Sequence, residues 1–155
     1  MSEAFFIQFS VPGKPEGKGR PRFDFRTGHA YTPAETRQYE ANVRACALEA
    51  LLKWEEQHGA SWPKHLNIEL DLVAWIKVPA SWPKWKRDLV LSGEDLEPAP
   101  VKPDLDNIEK AVMDGLQGVL FDDDKRVCEK DGHKWYGDEP SVQVTVIARR
   151  SRLHE

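Results

Sequence analysis

Leu66-Asn67-Ile68-Glu69-Leu70-Asp71-Leu72 alternates apolar with polar at every step, and Val73 to Val78 carries on as a mostly apolar run. Successive side chains of a strand point to opposite faces, so a period of two predicts a strand with one face in a core. Upstream the pattern changes. Thr32-Pro33-Ala34-Glu35 has the Thr-x-x-Glu form of a capping box, with proline at the first helical position. Tyr39, Val43, Cys46, Ala47, Ala50, Leu51 and Trp54 then recur at helical spacing, and Gly59 stands where a helix stops. A long amphipathic helix therefore precedes the strand.

Other elements follow on either side. Phe5 to Val11 is apolar and β-prone and ends at Pro12-Gly13, which marks a first strand. Gly13 to Gly28 is rich in Gly, Pro and Arg without a helical period, as expected of a loop or irregular hairpin. Residues Pro79 to Lys102 are proline-rich, carry Trp82 and Trp85, and contain one short helix from Ser81-Trp82-Pro83-Lys84 to Ser92-Gly93. The recurrence of Ala-Ser-Trp-Pro-Lys at 60–64 and 80–84 is similar turn chemistry used twice, too little for a repeat architecture. A second main helix starts at Asp106, with Asp106 and Glu109 as its cap and Leu105, Ile108, Val112, Leu116 and Val119 as its buried stripe. Val127 to Tyr136 and Val142 to Ile147 read as closing strands, with a turn near 137–140 between them. The order β-α-β-α-β-β predicts one α/β (α+β) domain over residues 1–155, a mixed sheet with two main helices against it.

Composition bounds the function. A chain of 155 residues with 40% hydrophobic and 31% charged residues suits one soluble globular domain with a sizeable core. No apolar run approaches the length of a membrane span, and the start lacks the basic region of a secretory signal, so the expectation is a cytoplasmic protein with no membrane partner. Cys46 and Cys128 are too few for a disulfide framework or a zinc site and are expected as small core residues. The net charge of −4 argues against a non-specific nucleic-acid binder. That total hides a basic arm, in which Lys14, Lys18, Arg20, Arg22 and Arg26 lie close together, and a second cluster at Arg149, Arg150 and Arg152. Local patches decide whether a polyanion docks.

The chemistry concentrates in Lys102-Pro103-Asp104-Leu105-Asp106-Asn107, answered by Asp122-Asp123-Asp124. Carboxylates this close repel and raise one another's pKa, and a hard cation such as Mg²⁺ relieves that cost. Two residues apart on a helix lie about 200° apart, so the economical geometry is an extended Asp104 leading into Asp106 at a helix N-terminus. Lys110 then falls one turn on, beside the carboxylates, and Asp114 one turn beyond it. Each motif alone has a plain reading, as a helix cap or a solvated acidic loop. Their combination does not.

Lys-Pro-Asp-Leu-Asp-Asn-Ile-x-Lys-x-x-x-Asp-x-Leu, followed by Phe121-x-Asp123-Asp124-x-x-Val127, resembles the signature of the RusA family of Holliday-junction resolvases. Gly13-Lys14-Pro15, Lys18-Gly19-Arg20-Pro21-Arg22-Phe23 and Tyr31-Thr32-Pro33 resemble phage-type members, which implies a bacterial, phage or prophage setting. The resemblance implies a RusA-like fold and metal-binding catalytic carboxylates at Asp104, Asp106 and Asp124, with Asp123, and then Asp114, as supporting acids. It also implies Lys110 as a catalytic helix lysine, Mg²⁺ with Mn²⁺ as substitute, a homodimer, and paired nicks in a four-way DNA junction. Three consecutive aspartates leave the register of the second motif open; counting back from Val127 favours Asp123-Asp124. In this reading the basic arm of Lys14, Lys18, Arg20, Arg22 and Arg26 grips DNA phosphates. Trp82 and Trp85 are expected in core or interface packing before base stacking, and His133 as a half-exposed strand residue. Two alternatives stay open: a flap- or branch-specific metal-dependent nuclease, and a non-catalytic DNA-binding module of the same fold. A structural Ca²⁺ protein is disfavoured, because the spacing lacks the EF-hand loop pattern.

Overall fold

The computed structural model describes residues 3–154. Its strands are β1 (Ala4–Pro12), β2 (Arg22–Asp24), β3 (His29–Tyr31), β4 (Asn67–Lys77), β5 (Val127–Gly137) and β6 (Ser141–Arg149), and its helices α1 (Ala34–His58), α2 (Lys84–Leu91) and α3 (Leu105–Leu116). Four strands form one sheet in the order β1-β6-β4-β5, while β2 and β3 make a separate small hairpin. β6 runs antiparallel to both β1 and β4, whereas β4 and β5 are parallel. The sheet is mixed, as expected. β5 and β6 do not form a hairpin; they flank β4, so the short 138–140 connection crosses its end.

The alternation that marked β4 is the reason for its central place. Ile68, Leu70, Leu72 and Ala74 are buried on one face, opposite Val142, Val144, Val146 and Ala148 of β6. Helices α1 and α3 cover this face with Tyr39, Val43, Ala47, Leu51, Ile108, Val112 and Leu116. The two helices approach so closely at Gly115 that a Cβ there would stand 2.7 Å from Val43 Cγ1. Only hydrogen fits. Among the described residues, no helix covers the opposite face, with Phe6, Gln8, Asp71, Val73, His133 and Thr145.

Several local expectations need correction. Helix α1 has Pro33 as its N-cap, and neither Thr32 nor any other side chain caps it; Gly59 closes it in the left-handed conformation as the sequence indicates. α3 begins one residue early, with extended Asp104 as N-cap and no side-chain cap bond, so the Asp106–Glu109 capping box does not form. Glu109 is instead buried, its carboxylate lying over Gly132 of β5. Cys46 is half-buried, but Cys128 is exposed on β5 rather than in the core. No helix among the described residues is long and apolar enough to cross a membrane.

Candidate functional site

Lys102-Pro103 is a cis peptide bond, and the chain reaches α3 in an extended conformation. The ammonium of Lys134 donates to the carbonyls of Val101 and Pro103 and holds this lead-in against β5. Asp104 and Asp106 are thereby both presented to solvent at the helix N-terminus, where the positive end of the helix dipole favours carboxylates. Lys110, one turn along, is exposed on the same side.

The basic arm docks on this helix. The Lys18 amide donates to the Asn107 carbonyl at 2.9 Å, and Gly17 lies against Pro103 and Asn107. The Lys18 ammonium reaches 2.8 Å from Glu40 and 2.6 Å from Asp114. Burial works against its charge, but the hydrogen bonds to Asp114 and Glu40 outweigh that and raise its pKa. Lys18 is therefore a clamp between arm, α1 and α3, and does not stand free with the other arm cations. Lys14, Arg20, Arg22 and Arg26 remain exposed. Of the C-terminal arginines, Arg149 pairs with Glu69 at 3.5 Å and Arg150 with Glu3 at 3.2 Å, so both charges are answered within the chain.

The second acidic motif opens a 3₁₀ turn, Asp124–Arg126, in which Asp123 accepts a bond from the Lys125 amide. Arg126 pairs with Asp122 at 3.0 Å. The neighbouring Asp123 carboxylate raises the pKa of Asp124, with desolvation and the negative charge of Asp114 adding to it. Asp123 is lowered, chiefly by the Lys125 amide.

Asp124 senses Asp114, yet eight residues separate Asp106 from Asp114, about 12 Å along a helix. Asp114 lies near Asp124 in the field it exerts, while Asp104 and Asp106 stand at the other end of α3. Among the described residues no three His, Cys, Asp or Glu side chains are gathered to hold a metal ion together. The donor chemistry suits a hard divalent ion: exposed carboxylates, one of them held above its usual range by its neighbours.

The residues that shape the site without being read from the sequence are Glu40, Asp114 as a Lys18 partner, and Lys134. Glu40 lies on the flank of α1, and only the tertiary contact reveals its partner. Trp82 packs edge-on against Tyr136 at 4.8 Å beneath Lys86, matching the packing expectation, whereas Trp85 is exposed. His133 is part-exposed and stacked on Trp135.

A family model described as Endodeoxyribonuclease RusA matches residues 12–147, from the arm through both acidic motifs to β6. The chain is also similar to the uncharacterized protein YqaN of Bacillus subtilis (strain 168). The two are 29% identical over 142 residues, which span 90% of this chain and 94% of that one.

Proposed function

Because the chain belongs to the RusA endodeoxyribonuclease family, we propose that it is a divalent-metal-dependent Holliday-junction resolvase that acts as a homodimer and nicks opposing strands in pairs. The observation that supports this most is the exposure of Asp104 and Asp106 at the start of α3 and of Lys110 one turn beyond Asp106, with the basic arm anchored to the same helix. Mg²⁺, with Mn²⁺ as substitute, supplies when bound an activated water and neutralisation of the leaving oxygen.

The chain's own residues do the rest. Asp104 and Asp106 present hard oxygen donors at a helix N-terminus, and Asp124 with Asp123 presents a second group. Lys110 places a positive charge one turn from Asp106, where it stabilises charge developing on a phosphate. Lys14, Arg20, Arg22 and Arg26 hold the DNA backbone, while Lys18 fixes the arm that carries them. Cutting two strands symmetrically calls for two copies related by a two-fold axis.

The test is to incubate the protein with labelled four-way junction, flap and linear duplex, in Mg²⁺ or in EDTA. Paired symmetric nicks in the junction, lost on chelation, are expected. Equal cutting of linear duplex refutes the resolvase reading, flap cutting alone makes the protein a branch-specific nuclease, and binding without cutting makes it a DNA-binding module.

A further inference from the structure

Lys18, Arg126, Arg149 and Arg150 each face a carboxylate. Arg44 and Lys64 are held differently. The Arg44 guanidinium donates from Nη2 to the Asp114 carbonyl at 3.3 Å, and the Lys64 ammonium donates to the Gly118 carbonyl at 3.2 Å. Both side chains are exposed. Among the described residues, neither has a carboxylate within ion-pair distance. A neutral carbonyl fixes the position of a cation without cancelling its charge. A guanidinium and an ammonium also carry several donors each, so most of theirs stay free.

The two cations meet at one residue. A Cβ on Gly118 would stand 3.8 Å from Nη1 of Arg44 and within 4 Å of no other atom beyond its chain neighbours. Gly118 is exposed and has a φ of +85°, where a side chain is strained, so the ground between the cations stays bare. The backbone beneath Lys64 is fixed. Lys64 ends the segment Ala60-Ser61-Trp62-Pro63-Lys64, whose buried tryptophan donates its indole N–H to the Leu120 carbonyl at 2.7 Å. The Asp122 amide in turn donates to the Lys64 carbonyl at 3.1 Å. The second occurrence of these five residues serves otherwise: Trp82 packs on Tyr136, and Lys84 faces Asp88 at 3.8 Å.

We propose that Arg44 and Lys64 form a seat at Gly118 for one backbone phosphate of DNA, separate from the basic arm. The arm docks through the Lys18 amide on Asn107, near the start of α3 where Asp104 and Asp106 stand. The seat lies just past the other end of that 12-residue helix, about 18 Å away, beside the turn that leads to Asp123 and Asp124. That distance is about five base steps of duplex. A phosphate contact carries no sequence information, so the seat fixes how the duplex lies along α3 and not which bases are cut. The plain role for both cations is to cap carbonyls at the end of α3, which stabilises the fold without touching DNA. The inference rests on the proposed function for its ligand being DNA; the two unanswered charges stand without it.

The experiment measures binding of the full chain to a labelled four-way junction in EDTA, across a salt series. Arg44→Gln with Lys64→Gln removes both charges and keeps a donor for each carbonyl. The slope of log K against log salt is expected to fall by about 0.9, and by about 2.7 when Arg20→Ala and Arg22→Ala are added. Arg44→Lys with Lys64→Arg keeps the charges and is expected to keep the slope. So is the control Lys53→Gln, whose ammonium faces Glu49 on the same helix. Ethylation of single phosphates is expected to weaken wild-type binding at a position that the charge-free variant no longer senses. An unchanged slope in the charge-free variant, with a lower Tm as the sole effect, overturns the seat and leaves the two cations as caps. A slope that falls equally in the charge-keeping variant, or a wild-type chain that does not bind the junction, overturns it too. The expected slopes without cutting in Mg²⁺ sustain the seat and refute the resolvase, whereas paired cutting with unchanged slopes does the reverse.

Discussion

Replacing Lys18 with methionine separates a clamp from a phosphate contact. In the wild type, its ammonium bonds to Glu40 at 2.8 Å and Asp114 at 2.6 Å, with side-chain exposures of 25, 22 and 32% for the three residues. A hydrogen bond to a charged group contributes about 1.5–3 kcal/mol when well shielded. Partial exposure and solvent screening reduce that, and a net loss of about 2 kcal/mol is expected for the variant, which also leaves two carboxylates facing each other. For a domain of this size that lowers Tm by about 4–8 °C. Thermal and urea melts of the wild type, Lys18→Met, Asp114→Asn and the double variant form a cycle whose coupling should exceed about 1 kcal/mol. The pH dependence has a definite sign. Because the folded pKa of Lys18 is raised above 10.5, its stabilisation is fully present below that value and fades as pH climbs through the folded pKa. Coupling under about 0.5 kcal/mol, together with a fall of about 1 in the salt slope of DNA binding, would refute the clamp and return Lys18 to the phosphate-binding set.

Asp104→Asn and Asp106→Asn are each expected to abolish junction cleavage while leaving gel-shift binding intact; unaltered cleavage removes that residue from the metal-binding group. Lys110→Ala is expected to lower kcat by about 10²- to 10³-fold with little effect on junction affinity, measured by single-turnover kinetics. Arg20→Ala combined with Arg22→Ala should reduce the slope of log K against log salt by about 1.8 for two lost phosphate contacts, and an unchanged slope excludes them from the interface. Gly115→Ala forces a methyl group into Val43 and should cost about 1–3 kcal/mol in a urea melt, with relief on adding Val43→Ala.

The sequence exposes elements wherever one periodicity dominates. The period of two in Leu66–Leu72 is β4, and the three-to-four spacing from Tyr39 to Trp54 is the buried face of α1, because side chains that face a core must repeat with the backbone. The β2–β3 hairpin was only half visible, since its exposed residues Arg22 to Tyr31 carry no apolar rhythm. Helix caps misled: Thr32 and Asp106 match a capping pattern, but the backbone enters each helix through a residue that makes no side-chain bond. In the site, the placing of Lys110 one turn beyond Asp106 follows from helix geometry, and the extended Asp104 before it from the lead-in the sequence predicts. What could not be read was the engagement of Lys18, because Glu40 and Asp114 are 22 and 96 residues away and only tertiary packing of α1 on α3 brings them to it.

The pairing of β1 with β6 joins the first strand of the fold to the last. During synthesis, β1 leaves the ribosome with its apolar residues and both edges unmatched, and β6 follows roughly 130 residues later. At about 5–20 residues per second, that interval is roughly 6–30 s. For that time an uncharged, strand-forming segment is exposed to other nascent chains. Completion of the sheet therefore waits for the far end of the domain, and nascent-chain chaperones that shelter apolar segments should influence the yield of this protein more than its final stability.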